Sequence, residues 1–306
     1  MKYYLYSAVL ILSAIIITIV APIILESSEN LITNIEIPQN NSQVAGIQIY
    51  KIPPISKNFS VPVLSARAVI VKDLATDTIL YEKDANIAFP IASTTKIMTA
   101  LVASEYFKQN SELTVKDGAM VTGARVGLTR GEDLSFRSLL YGMLLPSGND
   151  AAYTIAENYP GGVLGFVSAM NKKASELNLI NTHFDNPAGF DSPKHYSSAR
   201  DMATITEEAL KDSTLARIFS TKETNIVSID KKYSHELVNL NRLLEQVKGV
   251  IGVKTGYTEE AKENLVTYIS RDGNKILTVV LGSDDRFGES TKLIEWVYQN
   301  FTWQLH

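Results

Sequence analysis

The segment 90-PIASTTKIMTALVASE-105 joins a strand-rich region to a helix-rich one, and it contains a serine and a lysine three positions apart. Apolar residues recur with helical spacing after Ser93, so the segment predicts a helix that begins near this serine. At this spacing Ser93 and Lys96 lie on one helical face. They can be a nucleophile and its base, or two solvated side chains. The same spacing between Ser228 and Lys231 shows that the pattern alone is weak.

Strand patterns stand on both sides of a helical middle region. Before the segment, 68-AVIVKDLATDTILYEKDAN-86 predicts a β-hairpin that turns at Thr76-Asp77. After the helical region, 249-GVIGVKTGY-257 and 264-NLVTYISRDGNKILTVVLG-282 are rich in strand-forming residues, and Asp272-Gly273 predicts a hairpin turn. Helical periodicity covers 93–108, 135–145, 150–158, 162–177, 199–211 and 286–301. The order predicts an α+β fold in which an antiparallel sheet is built from both ends of the region and a helical insert, 97–247, forms the other wall of a cleft.

The first 62 residues differ in character from the rest. No charged residue occurs between Lys2 and Glu26, and the apolar run between them would extend about 34 Å as a helix, enough to cross a bilayer. We expect 1–25 to be a retained single-pass membrane anchor, with a cleaved signal peptide as the alternative. Residues 26–62 predict a polar and proline-containing spacer, and 63–304 predict the folded domain. The domain is then extracytoplasmic, or secreted if 1–25 is cleaved.

The bulk composition excludes several classes of protein. The chain has 306 residues, a net charge of −4 and no cysteine. The absence of a basic excess argues against a nucleic-acid partner, and the absence of cysteine excludes disulfides and thiolate metal sites. Two histidines, His183 and His195, lie in one loop region without metal-ligand spacing, so we interpret that region as a structural loop. No metal or cofactor is expected.

Two further short motifs follow Ser93 in the chain. Ser147 and Asn149 come directly after Pro146, which ends a predicted helix, and the other Ser-x-Asn triplets at 28 and 56 lie in the spacer. The triplet from Lys254 to Gly256 occurs once and lies within a predicted strand. The order Ser-x-x-Lys, Ser-x-Asn, Lys-Thr-Gly, with these placements, is the set that penicillin-recognising serine enzymes require.

Four segments carry a wider resemblance to the low-molecular-mass penicillin-binding proteins of the D-alanyl-D-alanine carboxypeptidase family. They are 92-ASTTKIMTALVA-103, 138-SLLYGMLLPSGNDAA-152, 182-THFDNPAGFDSPKHYSSARDMA-203 and 252-GVKTGYTEEAKENLV-266. The similarity covers roughly residues 62–304. It implies a β-lactamase/transpeptidase-like domain, and it favours the catalytic interpretation of Ser93 and Lys96.

The chemistry of each residue type agrees with that interpretation. A serine hydroxyl needs a base, and Lys96 can act as one only when its pKa is lowered. The helix N-terminus and a facing Lys254 should both disfavour its charged form. Ser147 is expected to relay a proton to the leaving amine. Asn149 is expected either to bind the amide carbonyl of a substrate or to hold Lys96.

The Lys-Thr-Gly strand is expected to bind the substrate. Lys254 and Thr255 offer a cation and a hydroxyl donor to a carboxylate, and Gly256 lets the strand approach a peptide closely. The resemblance further implies an oxyanion hole made by the backbone N–H groups of Ser93 and Tyr257.

The function implied by the resemblance is that of a serine-type D-Ala-D-Ala carboxypeptidase. It would act on peptidoglycan stem peptides through an acyl-enzyme on Ser93 and would be acylated by β-lactams. Three alternatives stay open: a D,D-endopeptidase that cuts cross-links, a β-lactamase, and a non-catalytic wall-binding protein. Against a β-lactamase, the loop 178–193 offers Asp185 and Asp191 but no glutamate of the kind that speeds deacylation in class A enzymes.

Overall fold

The structure is a computed structural model that describes residues 52–304. Its strands are β1 (Ile55–Ser56), β2 (Ala68–Asp73), β3 (Thr78–Lys83), β4 (Glu112–Thr114), β5 (Asp133–Ser135), β6 (Glu223–Val227), β7 (Ser234–Val238), β8 (Val250–Thr258), β9 (Lys262–Arg271), β10 (Asn274–Ser283) and β11 (Phe301–Thr302). Its helices are α1 (Lys96–Tyr106), α2 (Phe136–Leu144), α3 (Asn149–Asn158), α4 (Gly162–Glu176), α5 (Ala199–Leu210), α6 (Ser213–Ser220), α7 (Leu243–Gln246) and α8 (Arg286–Asn300).

The main sheet has five antiparallel strands in the order β3-β2-β10-β9-β8. Two strands come from the N-terminal side of the domain and three from the C-terminal side, which confirms the predicted α+β fold. Asp272 and Gly273 make the β9–β10 turn with φ of 51° and 81°, as their hairpin signature predicts. Strand β8 lies at one edge of the sheet, so its outer side is open to neighbours other than strands.

Both faces of this sheet are covered because its side chains alternate. On one face Ile70, Val266 and Leu277 pack in the same core as the helices of the insert. On the other face the neighbouring positions pack against Leu293 and Val297 of α8. The result is a three-layer arrangement, with helices on each side of the sheet.

Helix α1 runs through the middle of the helical layer. Its residues from Lys96 to Ala103 are all buried, and it packs against α2, α3, α4 and α5. Eight consecutive buried residues, most of them apolar, leave no side of this part of the helix facing solvent, as in a helix inside a core. Burial of α1 therefore places the start of the helix, and the turn before it, inside the protein next to the sheet.

The insert differs from the prediction in two respects. Residues Ala92–Thr95 form a 3₁₀ turn before α1, so Ser93 precedes the α-helix instead of beginning it. The insert is also not wholly helical, because it contains the β4–β5 and β6–β7 hairpins. In β6 and β7 only Ile226 and Leu237 are buried, and a single buried apolar residue per strand is too little to produce a clear alternation in the sequence.

The end of the predicted spacer packs on the domain. Strand β1 pairs with β11 near the C-terminal end of the described residues. The Phe59 N–H donates to Asn300 Oδ1 over 2.8 Å, and Trp296 Nε1–H donates to Phe59 O over 3.3 Å. The anchor expected at 1–25 lies outside the described residues. Within 52–304, none of the helices is long and apolar enough to cross a bilayer.

Candidate active site

The 3₁₀ turn that carries Ser93 is stabilised by hydrogen bonds from its own side chains to its backbone. Ala92 begins it with a φ of 47°, in the left-handed region that residues with a Cβ rarely adopt. Thr94 Oγ1 donates to Ile91 O over 2.6 Å, and Thr95 Oγ1 donates to Ala92 O over 2.7 Å. Ser93 is half-buried, whereas its neighbours in the turn are buried. The turn therefore presents one hydroxyl toward solvent from a rigid and otherwise closed segment.

Lys96 is the first residue of α1 and is completely buried. Its Nζ lies 2.9 Å from Ser93 Oγ, 2.8 Å from Asn149 Oδ1 and 2.7 Å from the carbonyl oxygen of Ala188. These partners come from the 3₁₀ turn, from the start of α3 and from the loop before α5. The structure thus brings together Ser93, Lys96 and Asn149, as the sequence predicts.

Burial lowers the pKa of Lys96 well below 10.5, and the nearby charge of Lys254 lowers it further, while Asp150 acts in the opposite direction. The direction of the Lys254 effect agrees with the expectation. Sequence reasoning did not identify the larger cause, which is the loss of hydration around a fully enclosed ammonium group. The electrostatics of the site therefore favour the neutral amine.

A neutral Lys96 can be oriented in only one way among these partners. The amine has two N–H bonds and one lone pair. Asn149 Oδ1 and the Ala188 carbonyl oxygen can only accept hydrogen bonds, so the two N–H bonds belong to them. Ser93 is the only partner of the three that has a hydrogen to donate. The lone pair of Lys96 therefore faces the Ser93 hydroxyl, which is the arrangement of a base and its nucleophile.

Asn149 and Ser147 follow α2 in a sharp turn. Asn149 Nδ2 donates to Thr122 O over 2.9 Å, and this contact leaves Oδ1 facing Lys96. Ser147 adopts a φ of 64° and is 4% exposed. Within the part of the chain that the structure describes, Ser147 is not among the hydrogen-bond partners of Lys96. Of the two alternatives for Asn149, the structure shows the contact with Lys96.

The Lys-Thr-Gly triplet lies in β8, the edge strand beside the 3₁₀ turn. Lys254 is 1% exposed, and its Nζ donates to Thr255 O over 3.0 Å. Burial, with Arg286 as a second cause, lowers the pKa of Lys254 to about 7. A Cβ on Gly256 would lie 3.1 Å from the Ser93 nitrogen, a tighter contact than most Cβ atoms make, so glycine favours this close approach of the strand. Tyr257, the next residue, has a half-exposed side chain.

Three residues of the site carry no clear signal in the sequence. Arg286 Nη1 donates to Gly256 O over 2.9 Å from the start of α8. The Asp150 carboxylate accepts hydrogen bonds from the N–H groups of three consecutive residues, 126–128, and these bonds fix the position of that loop. A Cβ on Gly189 would lie 1.9 Å from Ala92 O. Each acts on a segment distant in sequence, so no local pattern could identify it.

The loop 182–198 has the structural character that the sequence predicts. His183 Nδ1 lies 2.5 Å from Lys194 O. The buried His195 contacts the Asp185 N–H of the same loop through Nδ1 and Thr95, outside the loop, through Nε2. Asp185 Oδ2 accepts from Ser192 Oγ, and Asp191 Oδ1 accepts from Thr258 Oγ1. Over residues 52–304 no hydrogen bond joins a carboxylate to Ser93, and no group of His, Asp or Glu side chains has the geometry of a metal site.

The site combines a serine in contact with a buried lysine of lowered pKa and the adjacent edge strand of a sheet that is flanked by helices. This combination defines a serine peptidase of the penicillin-recognising class. Comparison with known proteins then identifies the group within this class. The D-alanyl-D-alanine carboxypeptidase family, peptidase family S11, matches residues 55–285. The chain belongs to this family.

Individual relatives agree with the family assignment. The D-alanyl-D-alanine carboxypeptidase DacF of Bacillus subtilis is 36% identical over 246 residues, which are 77% of this chain and 63% of that protein. The crystal structure of the Streptomyces K15 DD-transpeptidase matches with a TM-score of 0.75 at 32% identity, covering 79% of this chain and all of that one. A D-alanyl-D-alanine endopeptidase of Pseudomonas aeruginosa is 31% identical over 241 residues, which are 76% of this chain and 77% of that protein.

Proposed function

We propose that this protein is a serine-type D-Ala-D-Ala carboxypeptidase that trims peptidoglycan stem peptides through an acyl-enzyme on Ser93. The observation that carries the proposal is the contact between the buried Lys96 Nζ and Ser93 Oγ over 2.9 Å. The other two hydrogen-bond partners of Lys96 are acceptors only, so in the neutral form of the amine the lone pair faces the Ser93 hydroxyl. A binding module has no need of a buried base directed at a hydroxyl.

In the proposed reaction, Ser93 Oγ attacks the carbonyl carbon of the penultimate D-Ala while its proton passes to Lys96 Nζ. The tetrahedral intermediate collapses when the C–N bond breaks and the departing D-Ala amine receives a proton, for which Ser147 is the relay. Water then attacks the ester and releases the shortened peptide. The same serine opens the β-lactam ring of a penicillin, because that ring presents a reactive amide to the same groups.

The substrate is held from the other side of the cleft. Lys254 and Thr255 bind its terminal carboxylate, and Arg286 adds a second positive charge near this position. Gly256 and Tyr257 provide the strand edge along which the peptide lies. The backbone N–H groups of Ser93 and Tyr257 stabilise the oxyanion, and donors of this kind typically contribute about 3–4 kcal/mol each.

The direct test is release of D-Ala from a synthetic stem pentapeptide that ends in D-Ala-D-Ala. The full chain should release one D-Ala per peptide, and a covalent penicillin should block the release in a one-to-one ratio. The absence of both D-Ala release and penicillin labelling from folded protein would contradict the proposal.

A D,D-endopeptidase is the second candidate, because the Pseudomonas relative carries that name. The chemistry is the same, and only the group on the leaving side of the scissile bond differs. Purified cross-linked and uncross-linked muropeptides distinguish the two activities. Preferential conversion of cross-linked dimers into monomers would favour the endopeptidase.

Slow turnover of β-lactams is part of the proposal. The two carboxylates of the loop that could assist deacylation, Asp185 and Asp191, accept hydrogen bonds from Ser192 and Thr258, and among the described residues neither is hydrogen-bonded to Ser93. The penicilloyl ester should therefore persist for many minutes. Rapid steady-state hydrolysis of a penicillin would instead favour the β-lactamase alternative.

We also propose that the domain lies outside the cytoplasm and is held at the membrane by residues 1–25. The support is the uncharged apolar run between Lys2 and Glu26. Labelling with a fluorescent penicillin should then appear in the membrane fraction and resist extraction with high salt. Labelled protein that lacks these residues and is found in the medium would favour a cleaved signal peptide.

A further inference from the structure

A chain of hydrogen bonds connects the loop 182–198 to the turn that carries Ser93. The backbone N–H of Asp185 donates to His195 Nδ1 over 3.1 Å. Because Nδ1 accepts, the proton of the neutral imidazole is on Nε2, which lies 2.7 Å from Thr95 Oγ1. The Thr95 hydroxyl accepts a hydrogen bond from Nε2–H and donates its own hydrogen bond to Ala92 O over 2.7 Å. Each contact therefore has a defined direction.

The surroundings of His195 favour the neutral imidazole that these hydrogen-bond directions require. The side chain is 2% exposed, and its burial lowers the pKa to about 4. The nearby charges oppose one another, because Asp185 raises the pKa while His183 and Lys96 lower it. The imidazole is thus neutral at the pH of ordinary growth and can accept at one nitrogen while it donates at the other.

The end of the chain of hydrogen bonds is the carbonyl of Ala92. That carbonyl belongs to the same planar peptide group as the N–H of Ser93, so a contact that fixes the orientation of the carbonyl also fixes the orientation of the N–H. Ala92 has a φ of 47°, which costs about 1–2 kcal/mol for a residue with a Cβ and needs support from its surroundings. Gly189 packs against the same carbonyl, and its missing Cβ leaves space beside the Ser93 nitrogen.

We propose that His195 is a positioning residue for the oxyanion hole. It acts through the Thr95 hydroxyl to hold the Ala92–Ser93 peptide in the plane that points the Ser93 N–H toward the developing oxyanion. It exchanges no proton with the substrate. This inference rests on the proposed function, because it assigns a task to the Ser93 N–H in acyl transfer.

Two substitutions of similar size separate this role from simple support of the loop. In His195→Gln the amide nitrogen reaches the position of Nε2 and can donate to Thr95. In His195→Asn the shorter side chain can accept from the Asp185 N–H but does not reach Thr95. We expect the Gln variant to keep the rate of acylation by a fluorescent penicillin within about threefold of the wild type. The Asn variant should be acylated at least about tenfold more slowly, which is part of the loss expected when an oxyanion donor is removed. Thr95→Val should lose as much as His195→Asn, whereas Thr95→Ser should keep most of the rate.

The kinetic pattern distinguishes positioning from loss of structure. A poorly oriented oxyanion donor lowers kcat for the stem peptide and leaves KM nearly unchanged. His183→Gln, in the same loop but bonded to Lys194 O, is the matched control and should keep both constants. Thermal midpoints are measured for all variants, so that only folded protein is compared.

A readout independent of activity completes the test. The amide ¹H–¹⁵N resonance of Ser93 should shift in His195→Asn and Thr95→Val and stay near its wild-type position in His195→Gln and Thr95→Ser. Equal loss of rate in the Gln and Asn variants, or an unchanged Ser93 amide in Thr95→Val, would overturn the inference. If the wild type is not acylated, the proposed function fails while the amide resonance still decides the role of His195.

Discussion

The protein contains two Ser-x-x-Lys sequences, and they have different environments. Ser93 and Lys96 occupy a 3₁₀ turn and the first residue of α1, and their polar atoms are 2.9 Å apart. Ser228 and Lys231 occupy the turn between β6 and β7. There Ser228 Oγ donates to Asp230 Oδ1 over 2.7 Å and accepts from the Tyr233 N–H, while Lys231 is exposed with a φ of 62°.

The comparison shows that the three-residue spacing only allows the serine and lysine side chains to come into contact. Burial of the lysine is what makes such a pair reactive. In the hairpin turn, the hydroxyl of Ser228 is engaged with a carboxylate, and the lysine side chain is in water. In the helical segment, complete burial disfavours the ammonium form of Lys96, and acceptor atoms occupy its N–H bonds. The same two residue types are therefore a base and a nucleophile in one place and parts of a turn in the other.

The largest expected effect comes from removal of the two serines. Ser93→Ala should abolish labelling by a fluorescent penicillin and reduce D-Ala release by at least about a thousandfold, because it removes the hydroxyl that contacts Lys96 Nζ. Ser228→Ala should keep both activities within about twofold, since its hydroxyl only closes a turn. The measurement is gel fluorescence together with a D-Ala assay. Residual labelling of folded Ser93→Ala would contradict the account.

The two lysines provide the next contrast. Arginine is always charged in proteins, so Lys96→Arg removes the base while it keeps a long cationic side chain. We expect kcat/KM for the stem peptide to fall by about 10²–10⁴-fold, the usual contribution of a general base. Lys231→Arg is the control and should leave kcat/KM unchanged. A Lys96→Arg variant that is folded and still rapidly acylated would show that another group takes the proton.

Packing around the Ser93 turn can be tested with two glycines that both have positive φ. Gly189→Ala would place a Cβ 1.9 Å from Ala92 O at a φ of 93°, so we expect a loss of about 3 kcal/mol in the free energy of unfolding. Gly131→Ala, at a φ of 80° with no atom within 4 Å of the added Cβ, should lose only about 1 kcal/mol. Chemical denaturation measures both. Equal losses would mean that the contact with Ala92 is easily relieved.

The smallest expected effect, counted per pH unit, is a dependence of stability on pH. The pKa of Lys254 is about 7 in the folded protein and near 10.4 when the chain is unfolded, so the unfolded chain binds the extra proton between these values. The free energy of unfolding should rise with pH in this window by about 1 kcal/mol per pH unit from this group. Lys254→Met should remove this rise, whereas Lys231→Met should keep it. An identical pH profile for wild type and Lys254→Met would contradict the burial argument.

Much of the framework could be predicted from the sequence. The hairpins that turn at Thr76-Asp77 and Asp272-Gly273, and the helix that Ser198 caps by accepting from the Asp201 N–H, follow local rules of turn and cap chemistry. The contact of Ser93 with Lys96 also follows from helical spacing. These features depend on residues that are close together in the chain, so their patterns are visible without a structure.

What could not be predicted depends on distant segments. The left-handed conformation of Ala92 is supported by Gly189 and by the hydrogen bond from Thr95, which in turn accepts from His195. Arg286 contacts the carbonyl of Gly256 from another element. The dominant cause of the lowered pKa of Lys96 is burial, and burial belongs to the whole fold rather than to any short motif.

The proposed mechanism depends on a pKa of Lys96 that is well below that of an ordinary lysine, so that the amine can accept the proton of Ser93. An NMR titration of the full chain with ¹³Cε-labelled lysine measures this directly, and Lys96→Arg assigns the resonance. We predict a titration midpoint for Lys96 well below the ordinary value of 10.5, and the resonance of the exposed Lys231 provides an internal reference. A midpoint for Lys96 at or above 10.5 would contradict the account, because an ammonium group cannot accept the proton of Ser93.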